Sequence, residues 1–370
     1  MINYCTKCIL PSTRPNLIIE SNGICQPCLK KQEKKNFKKK IDLFGNLVKK
    51  IKHSHNNWDC LIPVSGGKDS TWQVIKCLEK GLKPLCFSWR SPARTKLGQS
   101  NLDNLINLGV DHIDVSINPK VEKKLFLKSF ELTGNIAAPM HMAIYSLALD
   151  IAKRYKIKNI IFGENPAREY GSKKKEDLTK KIDKNWLNKY GVNGGVKFQK
   201  WIDEKNGLSK KDLIFYDVKF NKNINIHFLG DYISWDPLEA YHLSSKYGFK
   251  KLGKPLVGFY NYADIDDSFI MAIHHWLKWY KFGFTRTWDN LSLEIRYGRM
   301  NRDKAINIIK KNGNEIPKKE IELFCNYTNI SMNKFYSIAN RFRNKNIWSK
   351  KSNKWLIKGF LIENWRWNEV

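Results

Sequence analysis

The chain has 370 residues, 42% of them hydrophobic, and a formal net charge of +31. That length admits one large domain or two ordinary ones with a full apolar core; no apolar run nears the roughly 20 residues of a membrane helix, and none has the pattern of a signal peptide. The charge suits a polyanionic partner such as RNA or a nucleotide-bearing substrate, and equally a Lys-, Asn- and Ile-rich coding bias, because the lysines are spread along the chain and form no stripe.

A cytoplasmic location is expected, so the eight cysteines read as metal ligands or core thiols. Cys5-x-x-Cys8 and Cys25-x-x-Cys28 are separated by 16 residues, the spacing of a four-cysteine zinc site. Zinc takes four thiolates tetrahedrally, and a segment this short needs a metal because it cannot bury a core of its own. Such a site is closed and therefore structural. Residues 1–35 are assigned to this knuckle. Lys30 to Lys40, with seven lysines against Glu33, is a basic helical connector.

Alternating elements follow. The apolar run Cys60–Val64 predicts a strand, and Val74, Ile75 and Leu78 share a helical face. Between them lies Ser65-Gly66-Gly67-Lys68-Asp69-Ser70. Two glycines at a strand-to-helix turn let a phosphate approach the backbone, and the first-turn N–H groups and helix dipole favour its charge. The spacing is not that of the Walker loop, which needs four residues between its glycines. Leu82–Trp89, His112–Ile117 and Asn159–Phe162 read as further strands. Asn101–Leu108, Val121–Thr133 and Met142–Tyr155 read as helices. Strands alternating with helices predict an α/β fold with a doubly wound parallel sheet. Ligands in such sheets sit beyond the strands' carboxyl ends. The hexapeptide, the Trp89–Gly98 loop and Gly163-Glu164-Asn165 all follow strand ends.

Residues 171–225 hold 14 lysines and no arginine and read as an insertion in a nucleotide domain spanning 36–263. From 264 to 370 the chain turns helical and aromatic, through Ile273–Phe282, Arg302–Lys311 and Asn333–Arg343. Trp276, Trp279 and Tyr280 at helical spacing read as core, and His141, His274 and His275 as buried, hydrogen-bonded residues without a catalytic role.

The pattern Ser-Gly-Gly-x-Asp-Ser resembles the PP-loop of the ATP pyrophosphatases, which cleave ATP between its α and β phosphates. Further blocks sharpen the resemblance. They are the cysteine knuckles around Pro11-x-x-Arg14-Pro15, the run Asp59 to Gln73, Arg94-Thr95-x-x-Gly98-x-x-Asn101-Leu102, Leu108–Ile113, and Gly163-Glu164-Asn165 leading to Glu169-Tyr170-Gly171. Later come Leu229–Tyr232 and Glu294-Ile295-Arg296-x-Gly298-Arg299-Met300-x-Arg302. Together they resemble the N-acetyl sugar amidotransferases of lipopolysaccharide and flagellin sugar biosynthesis. Trp288-Asp289-Asn290 departs from the Asp-His common in that family and leaves Asp289 as the polar candidate there.

The resemblance implies a C–N ligase that converts a sugar acetamido group into an acetamidino group, with AMP and pyrophosphate as products. ATP, Mg²⁺ and Zn²⁺ are the implied cofactors. Lys68, Asp69 and Glu164 would be catalytic, with Asp69 holding Mg²⁺. Ser65, Gly66, Gly67, Ser70 and Thr71 would cradle the phosphates, and Arg94, Thr95 and Asn165 would hold the nucleotide. Asp289, Arg296, Arg299 and Arg302 would contact the substrate. Cys5, Cys8, Cys25 and Cys28 would hold zinc. The chain offers no Cys-His-Glu set for a glutaminase, so ammonia is expected from a separate glutaminase subunit with a cyclase-like barrel partner of the histidine-biosynthesis type. No membrane partner is expected, and nucleic acid is disfavoured. The competing expectation is a PP-loop tRNA-thiolating enzyme, against which stand Cys60, Cys77, Cys86 and Cys325, none of them in a further C-x-x-C. Pseudaminic or legionaminic acids and UDP-linked diacetamido uronic acids all remain open as the sugar.

Overall fold

A computed structural model describes residues 2–30, 42–52, 57–163, 185–186, 192, 194–312, 316–351, 354–363, 365 and 367. Five parallel strands form one sheet: β1 (Cys60–Pro63), β2 (Pro84–Trp89), β3 (Asp111–Val115), β4 (Asn159–Phe162) and β5 (Asn225–Phe228), in the order β3-β2-β1-β4-β5. The order reverses between β1 and β4, so the crevice of a doubly wound sheet opens beyond the end of β1.

Side-chain alternation along each strand feeds two cores. Leu61, Leu85, Phe87 and Ile160 pack on one face, while Cys60, Ile62, Cys86 and Ile161 pack on the other. The second face is covered by helices α1 (Leu43–Ile51), α2 (Lys68–Glu79) and α3 (Lys96–Ile106) and by the later helix Pro237–Lys246. The first face is covered by α4 (Pro119–Thr133) and α5 (Ala138–Arg154). That core runs on without a break into the C-terminal helices, through Phe269, Ile273, Trp276, Phe324 and Phe335; Phe130 stacks on Phe335 at 4.7 Å. Trp276, Trp279 and Tyr280 lie in this core as their spacing predicts.

Four features differ from the sequence reading. The helix expected from Asn101 starts at Lys96, because Thr95 accepts a hydrogen bond from Gly98 N at 2.8 Å and caps it. Strand β5 extends the sheet where the Lys-rich insertion ends; it is a short edge strand, Asn-Ile-His-Phe, too polar to read as one. The insertion is itself anchored, with Trp201, Leu208, Leu213 and Tyr216 buried in the first core. The C-terminal region also holds an antiparallel hairpin, Trp348–Lys351 with Lys354–Ile357. Among the described residues no helix is long and apolar enough to cross a membrane.

Candidate functional site

The hexapeptide lies where the sheet order reverses. After β1, Gly66 takes φ +84°, and a Cβ there would stand 2.6 Å from Leu102 N, so only glycine fits between the loop and α3. Gly67 is the N-cap of α2. The loop is braced from within: Gly67 N donates to Ser65 Oγ (3.2 Å), and Ser70 Oγ and Thr71 Oγ1 both donate to Gly67 O (3.0 and 3.1 Å). The first N–H groups of α2 have no acceptor within the helix and face the crevice. Lys68 is only 4% exposed. Its Nζ lies 2.5 Å from Asp69 Oδ2 and near the faces of Trp235 (5.7 Å) and Tyr262 (5.9 Å). Trp235 Nε1 donates to the other Asp69 oxygen at 2.8 Å.

A cavity of about 340 Å³ opens over this loop, with Phe87, Trp89, Met140, Ile144 and Phe162 as its apolar walls. Across it lies Asp264-Ile265-Asp266-Asp267, a segment the sequence reading passed over. Three carboxylates in four residues of a chain this basic was the available signal. The segment is held by Thr95 N donating to Asp266 O (3.1 Å) and by Gly98, where a Cβ would meet that carbonyl oxygen at 2.6 Å. Burial raises Asp266 against its own backbone N–H and the Ser65 hydroxyl. Burial, then Asp266, pushes Asp267 up to about 8; its Oδ1 accepts from the N–H groups of Phe269 (3.0 Å) and Ile270 (2.6 Å) at the start of the helix Ile270–Phe282. Burial works against ionised Asp264 too, but the Arg286 guanidinium holds its carboxyl well below the usual range.

A second chamber of about 510 Å³ adjoins the first, sharing Lys68, Asp69, His141, Ala263, Asp264 and Met271 as a common wall. Its far wall is basic, formed by Arg14 from the N-terminal segment and by Lys278, Lys281 and Arg286 from the C-terminal helices. Arg14 Nε and Lys278 Nζ each donate at 2.9 Å to a different oxygen of Asp289, whose side chain is fully buried. Burial opposes that carboxylate, yet Arg14, then Lys278, keep it well below the usual range. Burial pushes Lys278 down to about 8 against the pull of Asp289, and Lys281 also to about 8. His141, on the shared wall, is pushed down to about 4 by burial, and His275 to about 3. His274 is lowered for the same reason, and its Nδ1 lies 2.8 Å from Asn135 Oδ1. The three imidazoles, expected to be buried and hydrogen-bonded, therefore line the chamber in their neutral form, and among the described residues His275 has a hydrogen-bond partner at neither ring nitrogen.

The structure thus brings Ser65, Gly67, Lys68, Asp69, Ser70 and Arg94 to one cavity, with Asp289 behind the wall of the next. Arg94 is committed to Asp114, donating to both carboxylate oxygens at 2.9 Å. Thr95 serves as a helix cap and donates to Ile265 O at 3.0 Å, so it locks the carboxylate segment and does not line the cavity. Glu164 and Asn165 lie outside the described residues. The three arginines expected to contact the substrate, Arg296, Arg299 and Arg302, line neither cavity. Arg299 bridges Glu294 (2.8 Å) and Asp236 (2.7 Å), Arg302 donates to Cys8 O at 2.9 Å, and Arg296 is buried on its helix. Asp236 pairs with Arg299 across 63 residues of sequence, a carboxylate that the arginine spacing alone does not reveal. Arg14, Trp235, Tyr262, Lys278 and Arg286 were not singled out for a role; the local signals were Arg14's place in the Pro11-x-x-Arg14-Pro15 block and Lys278, one turn beyond His274 on one helix face.

The four cysteines form a separate centre. All are buried, and their sulfurs lie within 4.8 Å of one another. Cys8 Sγ and Cys25 Sγ are 3.7 Å apart, against the ~3.8 Å that four Zn–S bonds of about 2.3 Å impose in a tetrahedron. Cys8 N and Cys25 N both point at Cys5 Sγ (3.4 and 3.2 Å), as amides do around a thiolate. The donor set fits a structural zinc ion.

Residues 257–360 match the family model described as the C-terminal domain of WbpG-like LPS biosynthesis proteins. That segment supplies the carboxylate row and, of the second chamber's basic wall, Lys278, Lys281 and Arg286. Among solved structures, NMN synthetase from Francisella tularensis is 16% identical over 62% of this chain and 98% of its own, with a TM-score of 0.29. No curated protein matches the chain.

Proposed function

We propose that the chain is the ATP-dependent synthetase component of an N-acetyl sugar amidotransferase, acting in surface-polysaccharide or flagellin glycan biosynthesis. One observation carries this reading: the phosphate-cradle loop opens on two adjoining cavities that meet at Lys68 and Asp69. A nucleotide in the apolar first cavity would lay its phosphates on Ser65–Ser70, leaving the α-phosphorus beside the chamber in which the sugar sits. The match of residues 257–360 to a lipopolysaccharide-biosynthesis domain supports a sugar there.

The acetamido oxygen is a poor leaving group. Its attack on the α-phosphorus forms an O–P bond, breaks the α–β bridge and releases pyrophosphate. Ammonia then adds to the imidate carbon, and AMP departs with the former amide oxygen. Charge moves around phosphates in both steps, so fixed donors and cations should contribute most. Lys68 and the first amides of α2 stand where the β and γ phosphates would lie. Mg²⁺ prefers one or two carboxylates with phosphate oxygens and water, a role that Asp69 fits once it releases Lys68. Ammonia would come from a separate glutaminase subunit with its barrel partner, so the chain alone should use ammonium and not glutamine.

The thiolation reading asks for a sulfur carrier or cluster ligand at the loop. All eight cysteines are buried, and among the described residues none lines either cavity. The deciding experiment incubates the protein with Mg-ATP, ammonium and a panel of acetamido sugars. Mass spectrometry should find oxygen exchanged for NH with AMP formed alongside; ADP as product, or sulfur entering tRNA with no sugar altered, would overturn the assignment.

A further inference from the structure

The four-cysteine segment makes more than a closed metal site. Its own core is small: four cysteines, Leu10 and Leu17, with Ile19, Ile24 and Ile295 against them. The chain between Cys8 and Cys25 reaches away from the metal centre and docks on the C-terminal helices. Thr13 Oγ1 donates to Phe282 O (2.6 Å), Arg14 Nε to Asp289 Oδ1 (2.9 Å), and Arg302 Nε returns to Cys8 O (2.9 Å). Tyr4 stacks on Trp288 at 5.9 Å. The chain then turns at Asn16, a non-glycine residue held at φ +62°. Arg14, Pro15 and Asn16 thereby form part of the second chamber's wall. Arg14 and Lys278 share the Asp289 carboxylate and both flank the Phe284 ring at 5.9 Å, on a wall that Lys281 and Arg286 also line.

We propose that the four-cysteine module is a wall of the acceptor chamber, and that Arg14 is the specificity-determining residue it delivers. Metal occupancy then sets the shape and charge of this chamber while leaving the nucleotide loop alone. The word acceptor rests on the function proposed above; the wall does not. The loop bearing Arg14 is anchored on one side by Cys8 and on the other by Cys25, and a segment with so little apolar core keeps its fold through the metal. The Ser65–Ser70 loop is shaped by its own hydroxyls, by α3, and by Trp235 and Ser244, whereas the module's bonds named above go to Phe282, Asp289 and Arg302.

The test uses the full chain in two arms. In the first, zinc is stripped with a chelator and amide hydrogen exchange is followed. Exchange should rise about tenfold or more in Ile270–Phe282 and Arg286–Arg296 as well as in residues 2–30, with Lys68–Glu79 unchanged. A rise confined to residues 2–30, or one that spreads equally to Lys68–Glu79, would overturn the wall. In the second, Arg14→Met and Arg14→Lys are compared with the parent. Arg14→Met should keep one zinc per chain and unaltered Mg-ATP binding, yet raise KM for the acetamido sugar about tenfold, with Arg14→Lys recovering part of it. Equal losses for ATP and sugar, or none for either, would remove Arg14 from that role. If the parent modifies no acetamido sugar, the proposed reaction fails, while the exchange arm still decides the wall.

Discussion

The Ser65–Ser70 loop and the second chamber are built in opposite ways. That loop lies in one continuous strand–turn–helix, residues 60–79, and the hydroxyl bonds that shape it run between neighbours no more than five residues apart, while Trp235 and Ser244 reach Asp69 and Lys68 O from later in the chain. The second chamber is assembled from distant segments: residues 14–16, Trp235, Tyr260–Asp264 and the helices from 270 to 296. Its key ion pair joins residues 275 apart in sequence. A contiguous site resists damage elsewhere in the chain; an assembled one transmits it. Substitutions should therefore sort into those that stop the chemistry and those that loosen the chamber.

The largest expected effect belongs to the loop. Asp69→Ala strips Lys68 and Trp235 of their shared partner and, on the proposed function, removes the carboxylate that would meet Mg²⁺. It should lower kcat by about a hundredfold or more while the urea midpoint moves little. A variant that keeps its turnover would dissolve the contrast between the cavities.

Next comes Asp289→Ala, which leaves Arg14 and Lys278 facing each other without their carboxylate. Breaking a buried pair in this way costs about 3–5 kcal/mol, to be read from urea denaturation. Its folded pKa is depressed, so Asp289 stabilises the protein above its unfolded pKa near 3.8, and that contribution is lost as pH falls further. The variant should therefore show a shallower acid limb.

A smaller effect concerns pH and catalysis. Lys278, held at about 8, loses its proton as pH rises through that value. KM for the sugar should climb above pH 8 while Mg-ATP affinity stays level, and Lys278→Met should flatten the profile. Parallel changes in both affinities would mean that the cavities are not independently built.

The smallest effect is expected at Asp267. Its folded pKa of about 8 exceeds the unfolded 3.8. The stability this group contributes is thus fully present below about pH 4 and is lost as pH rises towards 8. Asp267→Asn keeps an oxygen for the helix N–H groups and abolishes that slope, which thermal unfolding across pH 4 to 8 would register.

The strand, loop and helix around Ser65–Ser70 were legible because each is specified by consecutive residues: an apolar run, two glycines and a helical face. The cysteine spacing was legible because two knuckles closing on one ion need only local turns. Four of the five sheet strands could be read for the same reason, whereas Asn225–Phe228 is too polar and short to stand out until the neighbouring strand supplies its partner. Arg296, Arg299 and Arg302 looked like an anion grip because sequence shows charges without their partners. Asp236, Glu294 and the Cys8 carbonyl, which hold two of them, come together only through packing. Asp264–Asp267 was visible as an acidic run, but its position opposite the loop was not.

The order of residues alone therefore determined the doubly wound sheet, the glycine turn between its first strand and helix, and the clustered thiols, since backbone conformation and short-range spacing follow from neighbours along the chain. Only tertiary structure decided what lies beside the cradle: which cations face the second chamber, which are neutralised, and that the N-terminal module contributes Arg14. The strength of a charge depends on burial and on the partner opposite it, and both are set where segments far apart in the chain meet.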